Sequence, residues 1–310
     1  MIYQAPIQGF TDFVYRKAYS RLFPEVDKYF IPYISVKNNQ ILKKYEKEIS
    51  LLNNPQKCVI PQVLAKNETE LLLLSELLKD TGYSEINLNL GCPFPMVTNR
   101  GKGAGLLPHP EKLKTMLAVF FEKSDLKLSI KLRAGLVSPK EIEAIIPVLN
   151  DFPLTEIIFH PRIAKQLYKG EINDDIFQFV VKNIKHKLVY NGDIFSLTDF
   201  NECKQKFPET ENWMLGRGIL MNPFLAAEIK NISVFGEEKI EKLKEFHRLI
   251  FEGYSETMDN TGNVLNKMKQ FWSYFSYSFP NQKKVFKGVK KSKNLTDYNV
   301  ATQKAFFSLY

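Results

Sequence analysis

The chain has 310 residues, 44% of them hydrophobic and 25% charged, which supplies a sizeable core and excludes a disordered polyelectrolyte. Three cysteines, Cys58, Cys92 and Cys203, do not make a disulfide framework, and no apolar run approaches the ~18 residues needed to cross a bilayer. The net charge of +9 suits a polyanionic partner without requiring one. Because the N-terminus lacks a basic and then apolar leader, the expectation is a cytoplasmic protein with no membrane association.

In chain order the elements alternate. Residues 2–6 read as a short strand stopped by a proline, followed by a loop and a helix to about Leu22. A second strand fits residues 29–34, with a polar helix after it ending near Asn53. The third strand is residues 58–63, although Pro61 is awkward inside a central strand. Asn67 and Glu70 open the next helix as a capping box, and residues 71–78 supply its buried face. Residues 85–90 form the fourth strand and residues 110–123 the helix behind it. Residues 127–132 form the fifth strand, and Ser138, Pro139 and Glu141 mark a helix start. Strands six to eight fall at residues 155–160, 187–191 and 212–216. Helices open at Ser196–Asp199 and after Asn222–Pro223.

Eight such units make an α/β fold of the closed (β/α)8 TIM barrel type the simplest architecture. A doubly wound sheet fits less well, because no G-x-G-x-x-G follows the first strand. From residue 237 the strand-like runs stop. Helical runs cover residues 239–254 and 264–277, then a lysine-rich stretch reaches the end. The chain is therefore expected to divide into a barrel domain, residues 1–236, and a small helical basic domain, residues 237–310. The latter holds 13 Lys/Arg against 8 Asp/Glu, over half of the net charge.

In a parallel barrel the chemistry gathers at the strand C-termini. The residues expected at that mouth are Ala5, Pro6, Gln62, Asn89 with Cys92, Lys131 with Arg133, His160, Asn191–Gly192 and Gly216–Arg217. The set is rich in cations and donors and poor in carboxylates, which argues against a paired-carboxylate hydrolase. No His/Cys/Asp/Glu cluster has metal-ligand spacing, so no metal is expected. Asn89-Leu-Gly-Cys-Pro93 presents a thiol in a turn after an apolar strand. Gly101 to Gly105 then lets backbone pass close to something flat or charged. The loops Asn191-Gly-Asp193 and Gly216-Arg-Gly218 fit the barrel phosphate site, where Arg217 can bind an anion. A flavin mononucleotide (FMN) is a natural occupant.

Blander roles compete with these. Cys58 and Cys203 read as inert thiols, and His109, His186 and His247 as solvated. Phe271, Trp272, Tyr274, Phe275 and Tyr277 resemble a platform for stacking bases, but they lie at helical spacing, so some of them must be core. Lys283, Lys284, Lys287, Lys290, Lys291 and Lys293 form either a solvated face or a contact for a phosphate backbone. A flavin barrel reductase of a small molecule and a non-catalytic RNA-binding barrel both stay open at this point.

The motifs have a recognisable order: Ala5-Pro6-x-x-Gly9-x-Thr11-Asp12, Gln62, Asn89-x-Gly91-Cys92-Pro93, Gly101-x-Gly103-Ala104, and Lys131-x-Arg133-x-Gly135. They continue with His160-x-Arg162-x-x-x-Gln166-x-Tyr168-x-Gly170, Asn191-Gly192-Asp193 and Gly216-Arg217-Gly218. Together they resemble the tRNA-dihydrouridine synthase family over residues 1 to about 225, and the helical remainder is more loosely similar to that family's RNA-binding domain. The resemblance implies a flavin-dependent oxidoreductase that reduces the C5–C6 bond of particular uridines in tRNA with electrons from NADPH. It implies Cys92 as the general acid at C5. It implies Gln62 and Lys131 at the isoalloxazine ring, Ala5, Pro6 and Ile7 packed on it, and His160 near the ribityl-phosphate. Asn191, Gly192, Asp193, Gly216 and Arg217 are implied around the phosphate, and Asn89, Arg133, Arg162 and Gln166 around the uridine. A monomer is expected. The chain departs from the family's usual methionine at Ile7, its usual aspartate at Asn87, and its tryptophan shortly after Gly170, which bears on pocket shape.

Overall fold

The computed structural model describes residues 1–38, 40–56 and 58–310. Eight strands close into a barrel: β1 (Ile2–Gln4), β2 (Lys28–Ile34), β3 (Val59–Val63), β4 (Glu85–Leu90), β5 (Lys127–Gly135), β6 (Ile157–Ile163), β7 (Leu188–Tyr190) and β8 (Asn212–Leu215). Each is parallel to its sequence neighbours, and β1 closes the ring on β8 through Ile2–Trp213, Tyr3–Met214 and Gln4–Leu215. Outside the ring lie α1 (Phe13–Leu22), α2 (Glu68–Thr81), α3 (Pro110–Lys123), α4 (Glu141–Asn150), α5 (Asp174–Asn183), α6 (Leu197–Lys206), α7 (Arg217–Met221) and α8 (Leu225–Ile229).

Strand side chains alternate between two faces. Ile86, Leu88 and Leu90 of β4 and Leu128, Ile130 and Leu132 of β5 are fully buried in the large core beneath the helices. The other parity fills the barrel with Tyr3, Phe30, Ile60, Ile158, Val189 and Met214. At its N-terminal end, buried Glu156 accepts from Tyr3 Oη (2.9 Å) and pairs with Lys28 (3.0 Å). That charged plug leaves the opposite end to carry the open polar site.

Local signals set most boundaries. Asn67 caps α2 by accepting the Glu70 N–H, and Gly82 ends that helix at φ 105°. Ser196 and Asp199 form the capping box of α6. Pro61 does lie within β3; it faces Ile31, and the pairing slips between Ile31 and Ile34 around Pro32. Two residues without an N–H thus coincide with a break in the ladder.

Two expected helices differ in the structure. The segment after β2 is not one polar helix. A small hairpin (Val36–Lys37 with Gln40–Ile41) precedes three short helical segments, 3-10 at Lys43–Tyr45, α at Glu46–Ile49 and 3-10 at Leu51–Asn53. Asn38, at φ 52°, supplies a left-handed turn that a helix could not accommodate. The helix expected from Ser138 begins at Glu141, whose carboxylate reaches back to the N–H groups of Leu136, Val137 and Ser138 and holds that stretch as a turn.

Beyond the barrel, α9 (Gly236–Thr257), α10 (Thr261–Phe275), α11 (Gln282–Lys291) and α12 (Leu295–Phe307) form a helical bundle. Its core is aromatic: Phe246, Trp272, Phe275, Phe279 and Tyr298 are buried, with several edge-to-face contacts among them. His247, expected to be solvated, sits in this core against Trp272 and Tyr298. The loop after β1 docks the bundle. Asp12 caps α1, accepts the Tyr254 hydroxyl at 3.0 Å and pairs with Lys267 at 2.9 Å, while Lys267 also donates to Gly9 O at 2.7 Å. A Cβ on Gly253 would reach within 2.7 Å of Val14 Cγ1, so α9 lies directly on α1.

Candidate active site

Period-two alternation carries Gln62, Asn89, Lys131 and His160 to the open end of the barrel. With Ala5, Asn191 and Gly216 they line a cavity of about 320 Å³. Cys92 lies on the loop after β4, and a chain of amides fixes that loop. Asn89 Oδ1 accepts the N–H groups of Gly91 (3.0 Å) and Cys92 (2.8 Å). Asn89 Nδ2 donates to Gln62 Oε1 (2.7 Å), Gln62 Nε2 to Asn87 Oδ1 (2.8 Å), and Asn87 Nδ2 to Ser129 Oγ (2.9 Å). Arg133 Nε donates to Gly91 O at 3.1 Å from the next strand.

The glycine-rich segment braces the same loop from behind. Ala104 N–H donates to Cys92 O at 3.2 Å, and a Cβ on Gly103 would stand 2.9 Å from both Cys92 Cβ and Cys92 O. A Cβ on Gly105 would collide with Thr98 O. Close backbone approach is therefore needed, but toward the thiol loop and not toward a flat or charged ligand. Cys92 itself is buried, and burial pushes its thiol up; the Phe94 N–H and the Tyr33 hydroxyl beside the sulfur act the other way. The thiol is protonated at neutral pH and can donate.

Lys131 faces the cavity, and burial, then the Arg133 charge, pull its ammonium down to about 7. Among the described residues no carboxylate pairs with it. His160 Nδ1 lies 2.5 Å from Asn191 O. A carbonyl only accepts, so Nδ1 carries the proton and Nε2 is an acceptor. Burial, with Arg133 and Lys131 nearby, keeps the ring neutral, and Nε2 is buried with no partner among the described residues.

The two glycine loops interlock at the edge of the cavity. A Cβ on Gly192 would collide with Tyr190 Oη, and one on Gly218 with Ile194 O. Asn191 Nδ2 ties the first loop to Met214 O at 2.8 Å. Asp193 bridges two arginines, Arg217 at 2.7 Å and Arg162 at 2.7 Å. The Arg217 guanidinium lies over the rings of Tyr168 (4.8 Å) and Phe195 (5.0 Å).

Of the residues singled out by sequence, Ala5, Pro6, Ile7, Gln62, Asn89, Cys92, Lys131, Arg133, His160, Asn191, Gly192, Asp193, Gly216 and Arg217 all border this cavity. Arg162 and Gln166 do not; they face a separate groove beside it. Between β5 and β6 the register passes from Arg133–His160 to Gly135–Ile163, two residues against three. That bulge re-aims Arg162 away from the face His160 occupies. Gln166 is spent on its own loop, accepting from Ile163 N at 2.9 Å. Sequence reasoning missed Tyr33, Phe10, Phe195 and Tyr274, which also border the cavity. Tyr33 sits near the C-terminal end of β2, where the strand-end rule could have found it. Tyr274 comes from α10, and nothing local in the sequence places it there.

A family model described as Dihydrouridine synthase (Dus) matches residues 3–307. A tRNA-dihydrouridine(47) synthase-like protein of Arabidopsis thaliana is 28% identical over 200 residues, covering 63% of this chain and 28% of the plant protein. A probable tRNA-dihydrouridine synthase of Helicobacter pylori (strain J99) is 27% identical over 237 residues, covering 74% of this chain and 70% of that protein. The chain thus spans little more than a quarter of the plant relative. Among solved structures, morphinone reductase superposes with a TM-score of 0.53 at 9% identity, over 76% of this chain and 87% of that one, a likeness of fold.

Proposed function

The chain belongs to the dihydrouridine synthase family, and from that premise we propose that it reduces the C5–C6 bond of uridine in tRNA, with FMN in the barrel mouth and NADPH as electron donor. The observation that carries this reading is the convergence of a protonated thiol, a desolvated lysine and an orphaned histidine nitrogen on one cavity.

The residues present fit FMN part by part. Ala5, Pro6 and Ile7 offer an apolar wall for a flat ring, and Lys131 a cation for its electron-rich edge. Gln62 is held by Asn87 and Asn89 and keeps one amide hydrogen and one lone pair for the ring. His160 Nε2 can accept from a ribityl hydroxyl, which relieves its orphaned state. The side-chain-free loops at Gly192 and Gly216 and the Arg217 guanidinium suit the phosphate. Bound in its reduced form, FMN supplies the hydride for uridine C6. Cys92 holds the proton that goes to C5, and the buried loop keeps that thiol from ionising beforehand. Asn89 and Arg133 fix the thiol's position and border the space where the base would lie.

A polymeric substrate is favoured by Tyr274, which brings the helical bundle into the wall of the same cavity. The test is Cys92→Ala. Dihydrouridine formation in tRNA should fall by about 10²-fold or more, the usual worth of a general acid, with FMN still bound. A variant that forms dihydrouridine at the parent rate would remove Cys92 from the acid role.

A further inference from the structure

Resting on that FMN reading, we infer that Arg162 is a positioning residue for the cofactor's phosphate site, acting through Asp193, and not a uridine ligand. Arg217 is the cation best placed for the phosphate, yet its Nη2 is already bound to Asp193 Oδ1 at 2.7 Å. An aspartate beside an incoming phosphate is a like charge, and Asp193 with Arg217 alone would be neutral. Arg162 changes the sum. Its Nη2 donates to Asp193 Oδ2 at 2.7 Å and to Gly170 O at 2.6 Å, so the three side chains carry a net +1. Arg162 is 3% exposed while Asp193 and Arg217 are each about a quarter exposed, so the added charge sits behind the pair, away from solvent. Nε and Nη1 of Arg162 are buried without partners among the described residues. A guanidinium in that state is retained for its charge and not for filling its bonds. The bulge at Pro161–Arg162 delivers it there, turning it out of the cavity and under the Asn191–Asp193 loop. Tyr168 and Phe195 then hold the Arg217 plane, and Asp193 links it to the charge behind.

The experiment titrates flavin-stripped full-length protein with FMN and with riboflavin, which lacks the phosphate, following quenching of flavin fluorescence. Arg162→Met should weaken FMN binding about tenfold or more and leave riboflavin binding within about twofold, since only the phosphate senses the lost charge. Adding Asp193→Asn to Arg162→Met should restore most of the FMN preference, because the uncompensated carboxylate is gone. Equal losses for both flavins, or no recovery in the double variant, would reduce Arg162 to a structural strut and overturn the inference. Should Arg162→Met fail to fold, Asp193→Asn alone decides: FMN preference over riboflavin should hold or rise, and a fall would show that the carboxylate itself holds cofactor. Wild-type protein that binds neither flavin would instead remove the FMN reading, and this inference with it.

Discussion

At Gly103 the backbone stands at φ 57°, and an added Cβ would touch both Cβ and O of Cys92 at 2.9 Å. Gly103→Ala therefore combines left-handed strain with a clash against backbone, worth about 1–3 kcal/mol together. The substitution should lower the melting temperature and displace the thiol, cutting dihydrouridine turnover far more than FMN affinity; comparing kcat with a flavin titration checks this. Unchanged turnover would show that the loop holds its shape despite the added methyl. Residues of this kind were legible in part. Lys131 and His160 were found because their positions at strand C-termini place them at the mouth. The resemblance set Arg162 beside the uridine; the bulge between β5 and β6 turns it out of the cavity, and nothing in Pro161-Arg162 announces a bulge. Gly103 was marked as a close-approach glycine, but its partner, Cys92, is brought against it by the tertiary turn and by nothing local in the sequence.

The helical bundle contains the clearest pH-sensitive element. Trp272 Nε1 donates to Tyr298 Oη (2.9 Å), and Tyr298 Oη lies 2.6 Å from His247 Nε2. With the tryptophan donating, the tyrosine O–H is left to donate to a neutral imidazole, and protonation of His247 would strand that hydrogen. Burial holds His247 down to about 4, below its ordinary 6.5. The unfolded chain therefore takes up a proton between these values while the folded bundle does not, so stability should fall as pH drops from about 6.5 to about 4. The effect is on the order of 3 kcal/mol. Denaturant melts across that range should show the slope, and His247→Phe should flatten it; an identical slope in the variant would place the acid sensitivity elsewhere. The first two helices of the bundle were legible from apolar spacing, and Phe271, Trp272 and Phe275 proved to be core, whereas α11 and α12 lay in what read only as a lysine-rich stretch. The segment between β2 and β3 was not, because its hairpin and turns carry no apolar period. The docking of Asp12 with Tyr254 and Lys267 joins residues more than 240 positions apart, beyond any local signal.

Across the whole molecule, the barrel was legible because eight β-α units repeat at a regular interval, and closure is the simplest way to bury eight such strands. How the bundle sits on the mouth was not, since Tyr274 reaches the cavity only through that docking. On the bundle's outer side, α11 carries Lys283, Lys284, Lys287, Lys290 and Lys291, while Val289 turns inward. Neutralising these five lysines to glutamine should weaken tRNA binding. It should also reduce the slope of log Kd against log salt by up to about one for each phosphate no longer neutralised. Chemistry on FMN and NADPH alone should be unchanged. A salt slope equal to the parent's would assign them to ordinary surface. The central claim is tested most directly by nucleoside analysis of unmodified tRNA transcripts after incubation with the full-length protein, FMN and NADPH. Dihydrouridine should appear with the wild type and be lost in Cys92→Ala. A wild-type protein that binds FMN and oxidises NADPH yet leaves every uridine intact would contradict the assignment.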